Sequence, residues 1–161
     1  MMQILYYGKG DFKIKSKTAQ IKLGEICEIN DFKLSEPGEY DVAGIRVESN
    51  NDITFFNIDG NSLAYLGKRK NPLTNEEIND LENVDVLMVP VGGGDVLSPK
   101  EAMEIIKNLE PKIVIPMYYQ DISEFSKLDG VVPEVLDELK IKNELTEEAI
   151  RRIIVLNEKS R

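Results

Sequence analysis

The sequence predicts an α/β fold in which helices cover a pair of mostly antiparallel sheets, built as a single layered domain over residues 1–161. Three observations predict it. The N-terminal half alternates apolar and polar residues with period two, the signature of half-buried strands. From Leu73 the period changes to strand, helix, strand. No linker, repeat or low-complexity run divides the two halves, so strands and helices are expected to pack as layers on a common core. A chain of 161 residues is long enough for such a core, burying about two thirds of its unfolded surface.

Phe12-Lys13-Ile14-Lys15 and Gln20-Ile21-Lys22-Leu23 alternate cleanly and read as short antiparallel strands. Residues 42–47 and 53–58 read as two more, joined through Ser49-Asn50-Asn51-Asp52, and Asp59-Gly60 turns the chain into a strand over 62–66. Thr74-Asn75-Glu76-Glu77 has the form of a capping box before a short helix carrying Ile78 and Leu81, and residues 84–91 form a continuous apolar strand. Ser98-Pro99-Lys100-Glu101 puts an N-cap, a first-turn proline and a glutamate in order, the clearest helix start in the chain. Ala102, Ile105, Ile106 and Leu109 then share one face, and Pro111 stops the helix before a strand over 112–117. Beyond Gln120 the pattern predicts helices over 123–128 and 133–139, and a helix or a final strand over 150–156. Glu76-Glu77 and Glu147-Glu148 fall in expected helix N-terminal turns, where they complement the helix dipole rather than form acid/base pairs.

A net charge of −9 repels nucleic acid and anionic membranes, so proteins and small molecules are the expected partners. No stretch is long and apolar enough to cross a bilayer, and the start lacks a basic n-region and a cleavage site, so no signal peptide is expected. The lone cysteine, Cys27, forms no intramolecular disulfide and no cysteine cluster. It is expected as a small buried apolar residue of a protein in the reducing cytoplasm. Lys68-Arg69-Lys70 reads as a solvated loop. The chain has no histidine, and so lacks the commonest transition-metal ligand and the one side chain that ordinarily titrates near neutrality.

Four segments in order carry a resemblance: Tyr7-Gly8-Lys9-Gly10-Asp11-Phe12, Pro37-Gly38-Glu39-Tyr40-Asp41-Val42-Ala43-Gly44, residues 84–94 ending in Val91-Gly92-Gly93-Gly94, and Pro111-Lys112-Ile113-Val114-Ile115-Pro116-Met117-Tyr118-Tyr119. Together they resemble the metallo-β-lactamase superfamily, in its branch of small cytoplasmic metal-dependent hydrolases similar to ascorbate-6-phosphate lactonases. The resemblance spans most of residues 2–119 and fades beyond Tyr119. It implies a truncated metallo-β-lactamase-like αββα sandwich.

The departures fall on the metal ligands that the resemblance implies. Where the branch has Gly-His this chain has Gly8-Lys9; where it has Leu-Gly-Asp this chain has Leu66-Gly67-Lys68; and where it has Pro-Met-His-Tyr this chain has Pro116-Met117-Tyr118-Tyr119. The family's His-x-His-x-Asp-His loop has only residues 25–36 in its place, and a second His-bearing loop is shortened to Ser49-Asn50-Asn51-Asp52. The resemblance therefore implies a catalytically degenerate member with no metal, no cofactor and no catalytic residue.

What remains is an expected shallow groove lined by Lys9, Glu39, Tyr40, Lys68, Gly92, Gly93, Gly94, Asp95, Tyr118 and Tyr119. Lys9 and Lys68 either replace the lost metal charge and bind an anion such as a phosphate ester, or pair with Glu39 or Asp95, or stay solvated. The Gly92–Gly94 turn before the capped helix either cradles an anion or serves a tight backbone turn. Tyr118 and Tyr119 stack on a ligand or fill vacated space. Two classes of function follow. The first is a metal-free protein that binds a ligand or a partner, or self-associates through the exposed floor. The alternative is a hydrolase-like enzyme acting on a small phosphorylated or lactone substrate with Lys and Tyr groups or a rebuilt metal site.

Overall fold

The computed structural model describes residues 1–50, 52–142, 144–145 and 150–160. Its first sheet is antiparallel throughout. Strands β1 (Met2–Tyr6), β2 (Phe12–Lys15), β3 (Gln20–Leu23), β4 (Glu28–Ile29) and β5 (Phe32–Lys33) follow one another across it. The register sets Ile4 opposite Ile14 and Ile14 opposite Ile21, so the period-two alternation sends one apolar row inward.

The second sheet has eight strands and two characters. Strands β6 (Gly38–Val42), β7 (Ile45–Asn50), β8 (Ile53–Ile58) and β9 (Asn61–Tyr65) form an antiparallel meander. The expected single strand over 42–47 is in fact a hairpin. Val42 pairs with Ile45, and Ala43 and Gly44 between them both adopt left-handed conformations at φ 53° and 79°, as a two-residue turn of the primed type requires. Helix α1 (Asn75–Leu81) leads into β10 (Val86–Pro90), and α2 (Pro99–Leu109) into β11 (Ile113–Met117); β9, β10 and β11 lie parallel. Both expected capping boxes are present, Thr74 with Glu77 and Ser98 with Glu101. Helix α2 ends at Glu110 in a left-handed conformation.

Helix α3 (Ser123–Asp129) lies where the sequence predicts one, but the helix expected over 133–139 does not exist. Its residues form β12 (Glu134–Leu136) and the start of β13 (Leu139–Ile141), while β14 (Arg152–Leu156) settles the last segment as a strand. Long-range pairing overrides local pattern here. Strand β14 pairs parallel to both β11 and β12, whereas β13 crosses to the first sheet and pairs with β1. The expectation for Glu147-Glu148 lies outside the described residues.

The two sheets face each other across one core that includes Met2, Ile4, Ile14, Ile21, Phe56, Leu63, Met88, Ile115 and Ile154. The second sheet's other face packs Ala64, Leu87, Val89 and Val114 against Leu81, Ala102, Ile106, Leu109 and Phe125 of the helices. Among the described residues all three helices lie on that one face. The outer face of the first sheet instead presents Gln3, Lys13, Lys15, Gln20 and Lys22, and this is where the sandwich is truncated. No described helix is long and apolar enough to cross a membrane.

In the run Lys68-Arg69-Lys70 the two lysines are exposed, as a solvated loop implies, but Arg69 is not. Arg69 is buried, forks onto Glu77 at 2.8 and 2.7 Å, and donates to the carbonyls of Asn71 and Pro72. A guanidinium's rigid fork matches a carboxylate in a way that spacing alone does not announce.

Candidate functional site

Three positions far apart in sequence meet at one end of the sandwich. Lys9 follows β1, Lys68 follows β9 and Tyr118 follows β11, each just beyond the strand that delivers it. The Tyr118 N–H donates to the Lys9 carbonyl at 3.0 Å, and the Tyr6 hydroxyl donates to the same carbonyl at 2.8 Å. Lys9 and Tyr118 both hold φ at 52°, a left-handed conformation that non-glycine residues occupy at a cost of about 1–3 kcal/mol. Two glycines make the approach possible. A Cβ at Gly10 would run into the Tyr118 ring, and one at Gly92 into the Tyr118 carbonyl. The Tyr65 hydroxyl, buried between the sheets, donates to the Gly10 carbonyl at 2.6 Å and fixes the loop from below.

Lys68 and Tyr118 line a cavity of about 350 Å³ whose walls include Glu25, Cys27, Thr54 and Tyr65. The Lys68 ammonium stands 6.0 Å from the centre of the Tyr118 ring and 3.4 Å from the Glu25 carboxylate. Burial pushes the Tyr65 and Tyr118 phenols up, Tyr118 despite the opposing pull of Lys68. Burial likewise pushes up the Cys27 thiol, which sits 3.9 Å from the Thr54 hydroxyl in the inter-sheet core. Both phenols and the thiol are thus held protonated at neutral pH.

The other expected groove residues lie elsewhere around this corner. The Lys9 side chain is exposed and does not line the cavity; its backbone carbonyl is what organises the site. Glu39 and Tyr40 belong to the edge strand β6, where Tyr40 donates to the Glu36 carbonyl at 2.5 Å and meets the Phe32 ring edge-on at 5.7 Å. The Gly92–Gly94 turn leads to Asp95, and the Gly93 N–H is taken by the Leu97 carbonyl at 2.9 Å. Tyr119 turns to the helix-side core, its phenol pushed up by burial and then by Glu158. Lys68 pairs with Glu25, not with Glu39 or Asp95. Sequence reasoning missed Glu25, Cys27, Thr54 and Tyr65. The one signal was that residues 25–36 stand in place of a ligand-bearing loop, which brings Glu25 to this corner.

This donor set does not fit a divalent ion. Among the described residues no three His, Cys, Asp or Glu side chains gather closely enough to share one. Glu25 already faces an ammonium. The remaining groups at the convergent positions are two cations and a phenol whose ionisation is disfavoured, whereas a hydrolytic metal needs several imidazole or carboxylate donors.

Two facing sheets, helices on the half-parallel one, and convergent strand ends at one end of the sandwich define the metallohydrolase type of α/β sandwich. Residues 9–118 match the beta-lactamase superfamily domain, and the chain belongs to that family. It is similar to a UPF0173 metal-dependent hydrolase of Desulforamulus reducens, 39% identical over 57 residues, and to one of Pelotomaculum thermopropionicum, 33% identical over 75 residues. These matches cover 31% and 42% of this chain, but only 25% and 33% of the relatives' own length. The solved structure of a Thermotoga maritima protein, described as a Zn-dependent hydrolase of the metallo-beta-lactamase superfamily, superposes with a TM-score of 0.84 at 22% identity, covering 97% of this chain and 99% of that one. A metallo hydrolase from Ignicoccus hospitalis superposes with a TM-score of 0.58 at 14% identity, over 79% and 89% of the two chains. At these identities the two structures speak for the fold alone.

Proposed function

We propose that this chain is a metal-free, catalytically degenerate member of the superfamily, a cytoplasmic protein that binds and does not hydrolyse. The observation that supports it is the chemistry of the three convergent strand ends: Lys9, Lys68 and Tyr118 meet where the resemblance implies metal ligands, with Lys9 and Tyr118 both in left-handed conformations. Lys68 supplies there a fixed positive charge. Its exposed, single-contact partner Glu25 is exchangeable, so a small anion such as a phosphate ester displaces it and binds between Lys68 and Tyr118.

The test is elemental mass spectrometry of protein purified without chelators and challenged with zinc, manganese and iron. Metal well below stoichiometry is expected. About one tightly held ion per chain overturns the proposal, because metal affinity of that order requires a deprotonated donor set.

A second reading, hydrolysis of a phosphorylated or lactone substrate, draws on the Lys68–Tyr118 contact inside a cavity. It needs a free base near neutrality; the raised phenols and thiol do not supply one, and the wall carboxylates Glu25 and Asp52 face the cations Lys68 and Arg69. Phosphatase or lactonase turnover that disappears in both Lys68→Met and Tyr118→Phe would restore it.

A further inference from the structure

The outer face of the first sheet carries a charge pattern that the fold does not reward. Alternation sends Ile4, Phe12, Ile14, Ile21 and Leu23 into the core, so Lys13, Lys15, Gln20 and Lys22 point away from it. The register sets Lys13 directly opposite Lys22. Like charges in that position destabilise a strand pair. Further along the same row the signs alternate as stability would ask, Lys22 opposite Glu28 and Glu28 opposite Lys33. Among the described residues no carboxylate reaches ion-pair distance of Lys13, Lys15 or Lys22. The chain carries 29 acidic against 20 basic residues, so acidic partners were not scarce. Lys13 instead lies 5.8 Å from the centre of the Tyr7 ring.

Beside this pair opens a groove of about 530 Å³, walled by Tyr7, Lys13, Lys22 and Ile26, with Asp11 and Glu25 also in its wall. Ile26 is 55% exposed and gives this wall an apolar side chain. Gly24 and Glu25 belong both to this groove and to the Lys68 cavity, yet the groove takes its cations from a different pair.

We propose that this face docks an acidic, partly apolar segment of a partner protein, with carboxylates on Lys13 and Lys22 and an apolar side chain against Ile26 and Tyr7. Asp11 and Glu25 in the wall limit how much negative charge the groove takes, which favours a segment with few carboxylates and an apolar side chain over nucleic acid and anionic lipid, whose charge is denser and which make no use of Ile26. The proposal does not depend on whether the Lys68 corner holds a metal.

The test is fluorescence anisotropy with the full chain and a labelled peptide of sequence Glu-Glu-Leu-Glu-Glu-Leu, run beside its all-Gln-for-Glu counterpart, a single-stranded oligonucleotide and phosphatidylserine vesicles. Saturable binding is expected for the acidic peptide, weakening as added salt shortens the Debye length below about 8 Å. Lys13→Glu removes one cation and pairs the other, so it should weaken binding about tenfold while leaving Tm equal or higher, a combination that misfolding cannot mimic. Lys107→Glu, on helix α2, should change nothing. The proposal is overturned by absence of saturable binding up to about 1 mM peptide, by equal affinity in Lys13→Glu, or by tighter binding of the oligonucleotide or the vesicles.

Discussion

Lys68 and Arg69 are neighbours in sequence and opposites in structure. The Lys68 side chain is 61% exposed and meets a single carboxylate, Glu25, itself 83% exposed. Arg69 is 8% exposed, and its N–H groups are taken up by Glu77 and by the carbonyls of Asn71 and Pro72. One residue faces the corner where the strand ends converge and the other ties the loop to helix α1. A buried charge has to be fully satisfied to be tolerated, whereas an exposed one keeps a partner it can exchange; under the proposed function that exchangeable charge is the one that binds.

The largest effect that can break this comparison is Arg69→Met. It leaves Glu77 without its guanidinium, and breaking such a pair from one side costs about 3 kcal/mol. Urea unfolding followed by circular dichroism should show the unfolding free energy fall by that amount, read as a lower midpoint with the slope unchanged. A loss below about 1 kcal/mol would mean that Arg69 is an ordinary surface cation.

Acid sharpens the same comparison. Hydrogen bonding from Arg69, with help from Thr74, holds the Glu77 carboxyl below the usual carboxylate range. Its folded pKa is therefore lower than its unfolded one, so its contribution is complete above the unfolded value of about 4.3 and is lost as pH falls through the folded value. Stability should fall as pH drops below about 5, and Arg69→Met should flatten that fall. An identical acid profile for the two proteins would detach the pH dependence from this pair.

The same contrast explains what could be read from the sequence. The strands of the meander and both capping boxes were legible because each is a local pattern: alternation in Phe12–Lys15, and a polar cap three residues before a glutamate at Thr74 and Ser98. The segment 133–139 misled because β12 and β13 are three residues each and owe their form to partners far along the chain, β14 and β1. The hairpin at Ala43–Gly44 was hidden because one of its two left-handed residues is an alanine. At the site, motif order was enough to name positions 9, 68 and 118. It did not reveal that Lys9 acts through its carbonyl, that Glu25 is the partner of Lys68, or that Arg69 is buried, because each depends on where a side chain ends up in three dimensions.

Smaller effects probe the corner where Lys9, Lys68 and Tyr118 meet. Lys9 is exposed and left-handed, so Lys9→Gly removes a conformational strain without removing a packed side chain. The gain is reduced by the greater freedom of glycine in the unfolded chain, leaving about 0.5 kcal/mol of stabilisation. A modest rise in Tm checks it. A fall would mean that the lysine side chain makes a stabilising contact outweighing the strain.

The smallest expected change is also the sharpest contrast with Arg69. In Lys68→Met an exposed ion pair with a 3.4 Å separation is lost, and such pairs contribute about 0–0.5 kcal/mol. The methionine keeps an apolar stem of similar length over the Tyr118 ring, so packing at the cavity mouth is retained. Tm should therefore stay within the scatter of replicate melts while the variant one position further along unfolds readily. What Lys68→Met should remove is affinity for a small phosphate ester, read by calorimetric titration, because the cation facing Glu25 and Tyr118 is gone. A destabilisation above about 1 kcal/mol would instead place Lys68 in the folding framework beside Arg69, and the corner would lose its claim to an exchangeable charge.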